Sequence, residues 1–379
     1  MPVVIFGLDS SSPDPDTIPA DHAEVYRTLS QLRHDQQPIV SIVTDLDQLQ
    51  LAPDTRIAVK MPDDCLLHLP HVVDADVHYE LLSKRALARS GLPTPSSTVI
   101  DVLLQPEQVH DPVNLEGEVS RMTSYFDVHP LPFVVKLNQS IGGKGAIPVH
   151  SEADRTRIKA IVSAHLRGML PHINAANHHL HPCSLVLQDY VAGPTAMSLS
   201  LFVTQKGRAI FVVCSEQEFD EKGHWIAGSV SYADQEAMRQ RYARCMEETA
   251  QFLHQKGYYG PAGIDIMTDA SGAQYIVDIN PRMTTSYHLG QLAGHFVRRG
   301  LSKATVIKDH FPCSRTIFEE TFLPELQDGS LVVTGWARNE SLSLSQGTVT
   351  VGGCDELEVE SLLARVHAHV LPLSAFCKK

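Results

Sequence analysis

Short apolar runs alternate with helical spacing through the first hundred residues. Val3 to Phe6, Ile39 to Val43 and Ile57 to Val59 read as strands, and about His22 to Leu32 reads as a helix, the pattern of a small α/β domain. A second helix is predicted over about Val77 to Ser90. It ends in Gly91-Leu92-Pro93-Thr94-Pro95, where glycine supplies a left-handed cap and proline prevents continuation. From Phe133 the texture turns strand-rich, with runs at Phe133 to Leu137, Ala146 to Val149, Leu185 to Tyr190, Met197 to Thr204 and Ala209 to Cys214, the last two joined at Lys206-Gly207. We expect these to form one antiparallel layer. Met197, Leu199, Leu201 and Val203 alternate with Ser198, Ser200 and Thr204, Phe202 excepted, which predicts one buried and one wetter face. A helix over about Gln235 to Lys256 carries Met238, Tyr242, Cys245, Thr249, Phe252 and Leu253 on one side. Farther on, Arg298 and Arg299 precede Gly300 as a helix cap, Leu331 to Trp336 and Gly347 to Val351 read as strands, and Glu356 to Ala368 reads as a helix.

Composition narrows the class. The 379 residues are 43% apolar and 20% charged, ordinary for folded proteins and long enough for two or three domains. The formal charge of −13, with no local concentration of basic residues, argues against nucleic acid. The N-terminus has no basic n-region and reads as a strand, and no stretch approaches 18 apolar residues, so neither a signal peptide nor a membrane span is expected. Seven scattered cysteines without a C-x-x-C pair favour free thiols in a reducing, cytoplasmic setting. The sequons at Asn138 and Asn339 are not read as glycosylated. His172, His178, His179 and His181 cluster without a spaced acidic partner, and loop histidines are usually solvated.

Three segments carry candidate chemistry. In the first, two strand-like runs flank Ser271-Gly272, a two-residue turn signal. With that turn Ala270 pairs with Ala273, and counting outward sets Asp265 opposite Asp278, with Asn280 on the same face. Facing carboxylates are destabilising unless a cation lies between them. With an amide oxygen they form an all-oxygen site suited to Mg2+ and substrate phosphates, and Arg282 can pair with a phosphoryl oxygen or a substrate carboxylate. The alternative is an exposed hairpin whose carboxylates face water.

In the second segment a buried-type strand carries Lys136, followed by Ser140, Gly142, Gly143, Lys144 and Gly145 and then another strand. Glycines let backbone N–H groups approach an anion and lysine adds a mobile charge, so this hairpin suits a triphosphate, although the P-loop spacing is absent. A simple turn is the alternative. In the third, the strand Leu185 to Tyr190 ends in Gln188, Asp189, Tyr190 and Val191 before Gly193-Pro194. Its free backbone groups suit an adenine edge and Gln188 suits the exocyclic amine, against the alternative of an ordinary connection.

Taken in order, lysine strand, glycine loop with lysine, polar strand end, long helix and the D-x(12)-D-x-N-P-R segment closely resemble the ATP-grasp superfamily of ligases, over about residues 80 to 300. The resemblance is to microbial amino-acid and peptide ligases. It implies a multidomain α+β and α/β chain: an N-terminal α/β pre-ATP-grasp domain (1–105), a small ATP-grasp subdomain with the glycine-rich loop (106–191), a large subdomain with the metal site (192–325) and a C-terminal lobe (326–379). It implies ATP and Mg2+, with Mn2+ as an alternative, and a small-molecule carboxylate and amine joined through an acylphosphate. A homodimer is common in similar enzymes.

Carried over by residue, Lys136 contacts the α-phosphate side. Ser140, Gly142, Gly143, Lys144 and Gly145 form the phosphate lid, and Gln188, Asp189, Tyr190 and Val191 line the adenine pocket. Asp265, Asp278 and Asn280 ligate metal, and Arg282 with Lys144 stabilises the transferring group. Lys84 occupies a place where such ligases often carry a basic residue, or is a surface lysine. The family usually has Glu where this chain has the shorter Asp278, which leaves the two-metal count open and motivates a competing reading, a nucleotide-binding regulator without turnover. A third reading keeps the nucleotide site but stops at phosphorylation or uses a different nucleophile. Ser215 to Phe219 with His224 to Ser229, and Thr284 to His288, sit where an acceptor would be met, although the former reads more readily as a surface loop.

Overall fold

A computed structural model describes residues 3–6, 24–43, 49, 51–140, 145–193, 196–220, 223, 225–340 and 342–370. The chain divides into two compact units, Arg56–Trp225 with Gln235–Tyr287, and Met1–Thr55 with Ile226–Asp234 and His288–Lys379.

The second of these units begins with β1 (Val3–Phe6), α1 (24–29) and β2 (Val40–Val43), and β1 and β2 pair in parallel, as an α/β start requires. The segment Ile57 to Val59, in the other unit, is not a strand; Ile57 makes only an isolated bridge to His71.

In the unit built on Arg56–Trp225, the predicted helix from Val77 is two: α2 (Ala75–Leu81) and α3 (Lys84–Ala88). Ser83 separates them because its hydroxyl accepts from Ala86 N–H, capping a new helix rather than continuing the old one. The break places Lys84 at the first position of α3. Gly91 then takes φ +74°, the left-handed turn expected of it. Next come β3 (Ser97–Ile100), α4 (Pro112–Val128), β4 (Phe133–Leu137), β5 (Ala146–Val149), α5 (Glu152–Met169) and β6 (Leu185–Asp189). Helix α4 starts cleanly because Asp111 accepts from Val113 and Asn114 N–H, with Pro112 in its first turn. The strands form an antiparallel sheet in the order β3-β6-β4-β5, and Phe133, Val135, Leu185 and Leu187 pack with Met122, Phe126, Ile158 and Val162 of α4 and α5.

The chain then leaves this sheet. β7 (Ala196–Val203), β8 (Ala209–Phe219), β10 (Gly260–Thr268) and β11 (Gln274–Asn280) make a second antiparallel array in the order β11-β10-β7-β8. The expected single layer is therefore two, and Gly193 lies in the crossing. A Cβ there would stand 2.2 Å from the Thr268 carbonyl oxygen, so only glycine lets the crossing strand approach β10 this closely. The predicted helix from Gln235 is also two, α6 (Gln235–Arg241) and α7 (Ala243–Gln255), and Tyr242, Cys245, Met246 and Leu253 cover Leu199, Leu201, Cys214, Ile264 and Ile279. On the opposite face of β7, Ser198 and Ser200 are buried rather than wet, while Phe202 is 37% exposed.

β9 (Trp225–Ser231), β12 (Lys303–Phe311), β13 (Leu331–Asn339) and β14 (Leu344–Gly353) form the strand run β9-β12-β14-β13, nearly all of it in the unit built on His288–Lys379. A final helix over Glu356–His367, capped by Asp355, buries Val359, Leu362 and Val366 against Val349, Val351 and Leu331. Among the described residues no helix is long and apolar enough to cross a membrane.

Candidate functional site

The site grows from the β10–β11 hairpin. Its turn is not the two-residue one expected at Ser271-Gly272. The last ladder pair is Thr268 with Gln274, and residues 269 to 273 form a wider loop in which Asp269 Oδ1 accepts from Ser271 N–H (2.8 Å) and Ala273 N–H (3.0 Å). Continued regularly, that register would set Asp265 against Val277. A bulge intervenes. Ile266 pairs with Ile276 but Asp265 pairs with Asp278, leaving Val277 as the extra residue. Ile276 and Ile279, three apart, thereby both enter the core, and Asp278 and Asn280 turn to the other face. The pairing of the two carboxylates expected from the sequence is found, reached through a longer loop plus one inserted residue.

The bulge also frees a carbonyl. Lys136 donates from Nζ to the Val277 oxygen at 2.5 Å. On β4, Lys136 alternates with the core residues Phe133 and Val135, so its side chain leaves the opposite face of that sheet. Burial pulls its ammonium down to about pKa 8, with Asp278 and Asp265 opposing the shift. Lys84, 6% exposed, donates to Asp278 Oδ1 as an ion pair. Asn138, just past the end of β4, fixes the start of α3 and with it Lys84. Its backbone carbonyl accepts from Lys84 N–H (2.8 Å), its side-chain oxygen accepts from Arg85 N–H (3.3 Å), and its Nδ2 donates to the His181 carbonyl (3.0 Å). Asn138 is 2% exposed, a poor glycan acceptor.

Across the sheet Asp278, Asp265, Ser198 and Ser215 stand in one cross-strand row. Asp265 accepts from Gln217 Nε2 (2.9 Å) and from Ser198, yet burial, reinforced by the Asp278 charge opposite, raises its pKa. Asn280 links the row to Arg282. Its Nδ2 donates to Asp278 Oδ2 (3.3 Å), and its Oδ1 accepts from Arg282 Nη2 (2.9 Å). Two facing carboxylates, one with a raised pKa, and a neighbouring amide fit a hard divalent cation that would complete its shell with phosphate and water oxygens. Among the described residues no group of three His, Cys, Asp or Glu side chains gathers to hold a metal alone, the histidines at 172 to 181 included.

The structure thus brings Lys136, Asp265, Asp278, Asn280 and Arg282 together and adds Lys84. Gln188 shares the Lys136 face of the first sheet but is engaged there, donating from Nε2 to Thr94 Oγ1 (3.3 Å) and Ser97 Oγ (3.0 Å). Asp189 is exposed, and Tyr190 meets His150 edge-on at 4.8 Å. At Gly145 a Cβ would fall 2.3 Å from Ser140 Cβ, so the strand leaving the loop folds back onto the residue that enters it. Gly142, Gly143 and Lys144 lie outside the described residues. Ser215 to Phe219, read above as a loop, belong to β8. Gln217, named above only within the Ser215 to Phe219 stretch, faces Asp265 because it stands two residues after Ser215 on a strand paired with β7, and Asn138, named above only as a sequon, ties α3 to the end of β4.

The ATP-grasp domain family matches residues 81–286. The chain belongs to the ATP-grasp family. No curated protein sequence matches it. Among solved structures, the ATP-grasp chain resembles the ADP complex of an N5-carboxyaminoimidazole ribonucleotide synthetase, with 14% identity and a TM-score of 0.52 over 88% of this chain and 86% of that one. It also resembles a biotin carboxylase–beta-gamma-ATP complex from Campylobacter jejuni, with 12% identity and a TM-score of 0.50 over 81% of this chain and 71% of that one. Both likenesses are of fold. They agree with a multidomain α+β ATP-grasp architecture of mixed helices and antiparallel sheets.

Proposed function

We propose that this ATP-grasp protein is an ATP-dependent carboxylate–amine ligase that activates a small carboxylic or amino acid as an acylphosphate and releases ADP and phosphate as an amide bond forms. The observation that carries the reading is the facing pair Asp265 and Asp278, with Lys84 and Lys136 converging on the same stretch of β11. A divalent cation, Mg2+ or Mn2+, would be held by Asp265, Asp278 and Asn280 and would supply charge neutralisation at the phosphates. Lys136 and Lys84 present ammonium groups to phosphate oxygens, Lys84 exchanging Asp278 for phosphate. Gly145, Ser140 and the intervening Gly142, Gly143 and Lys144 cover the triphosphate. Gln188, whose Nε2 is already occupied, offers its Oε1 to an adenine amine, with Asp189, Tyr190 and Val191 beside it. Arg282 stabilises charge on the transferring phosphoryl group. Phosphoryl transfer asks for little covalent chemistry from the protein, so cations, positioned donors and exclusion of water suffice. In this reading residues 106–191 supply the nucleotide side and 192–325 the metal side.

The test is Mg2+-dependent ADP release against pooled amino acids and small carboxylic acids, with mass spectrometry of every pool that turns over. Release that needs both a carboxylate and an amine, with a product lighter by water than their sum, supports the ligase. Release with a phosphorylated product and no amine requirement favours a kinase-like end point, and nucleotide binding without release favours a regulator.

A further inference from the structure

We propose that His78 is a positioning residue for the Asn280-Pro281-Arg282 turn, holding it through the Pro281 carbonyl so that Asn280 and Arg282 face the metal and the phosphates. The inference rests on the ligase reading. His78 lies on α2, is 3% exposed, and its Nε2 stands 2.8 Å from the Pro281 oxygen. A carbonyl only accepts, so Nε2 carries the proton and donates. Pro281 is buried, and this is the bond that satisfies its carbonyl. The ring is steadied by Tyr258, tilted at a centroid distance of 5.7 Å, whose hydroxyl donates to Pro261 O at the start of β10.

The turn that His78 holds is tight. Arg282 N–H reaches the Asn280 carbonyl at 2.7 Å, and the Arg282 side chain returns to Asn280 Oδ1. A shift of Pro281 therefore moves both side chains at once. Six residues after His78, Lys84 pairs with Asp278. The segment 78–84 is thus fastened to 278–281 at two points, one a carbonyl and one a carboxylate. When Lys84 turns from Asp278 to a phosphate, the His78 bond is the attachment that stays. An apolar residue would fill this buried position as well, and only a donor serves the carbonyl.

The test uses the full chain with His78→Leu and His78→Gln. Thermal melting checks folding, and calorimetric titration of Mg2+ with a non-hydrolysable ATP analogue reads the site. The glutamine amide reaches the same carbonyl, so His78→Gln is expected to bind as wild type. His78→Leu is expected to need about 10–100-fold more Mg2+ for half-saturation, the usual cost of losing an outer-sphere partner. If His78→Leu does not fold, His78→Met replaces it, close to glutamine in length and unable to donate. Equal behaviour of the donor and non-donor variants overturns the inference while leaving the ligase reading in place. Failure of the wild type to bind the Mg2+–analogue complex overturns both.

Discussion

Lys84→Met isolates the electrostatics of the carboxylate pair. Asp265 and Asp278 are directly opposed across the β10–β11 ladder, and at the usual spacing of about 5 Å two unit charges repel by about 3 kcal/mol at an effective dielectric of 20. In the ligand-free protein the Lys84 ammonium offsets this, paired with Asp278 at 6% and 25% side-chain exposure. Removing one member of a largely buried pair costs about 3–5 kcal/mol, and methionine, which keeps the packing of the stem, sets the value near the lower end. At about 2–4 °C per kcal/mol for units of this size, the variant should melt about 6–12 °C below wild type in EDTA. Excess Mg2+ should restore most of the loss, because a divalent cation on the two carboxylates replaces the missing charge, and should move wild type less. The double variant Lys84→Met/Asp278→Asn should melt above the single one, since removing a carboxylate removes the repulsion. A single variant that melts with wild type in EDTA, or a double variant no better than the single, would refute the reasoning.

Asp278→Asn and Asp265→Asn should each abolish Mg2+-dependent nucleotide turnover while circular dichroism remains native, and turnover near wild type in either would remove the metal assignment. Lys136 should impose a pH limit: its folded pKa, about 8 against an ordinary 10.5, means the cation is lost as pH rises through 8. Mg–ATP analogue affinity should then fall by up to about tenfold per pH unit above 8, and Lys136→Met should flatten the profile. The folded state binds fewer protons than the unfolded one between pH 8 and 10.5, so Lys136 makes stability rise across that window, which urea midpoints at successive pH values will show. Gly193→Ala, whose methyl would meet the Thr268 carbonyl at 2.2 Å, should cost about 1–3 kcal/mol in urea unfolding, and an unchanged midpoint would contradict the packing described.

The sequence by itself determined the order of elements, most strand identities and the residues that bear charge. The run Phe133 to Leu137 marked a buried-type strand carrying Lys136, and the helical stripe at Tyr242, Cys245 and Leu253 is core as its spacing requires. It also set Asp265 opposite Asp278, by counting from a turn that does not form. The loop of residues 269 to 273 and the Val277 bulge each displace the register by one, in opposite senses, and a period-two count sees neither. Only tertiary structure decided the rest. Val277 offers its carbonyl to Lys136 because packing Ile276 and Ile279 into one core forces a residue out of the ladder. Lys84 reaches Asp278 because Ser83 breaks a helix that periodicity reads as continuous, and Asn138 ties that break to the end of β4. His78 meets Pro281 across 203 residues of chain. Local pattern fixes which face a side chain leaves, but a partner brought from a distant segment is set by how the cores close, and no local spacing records it.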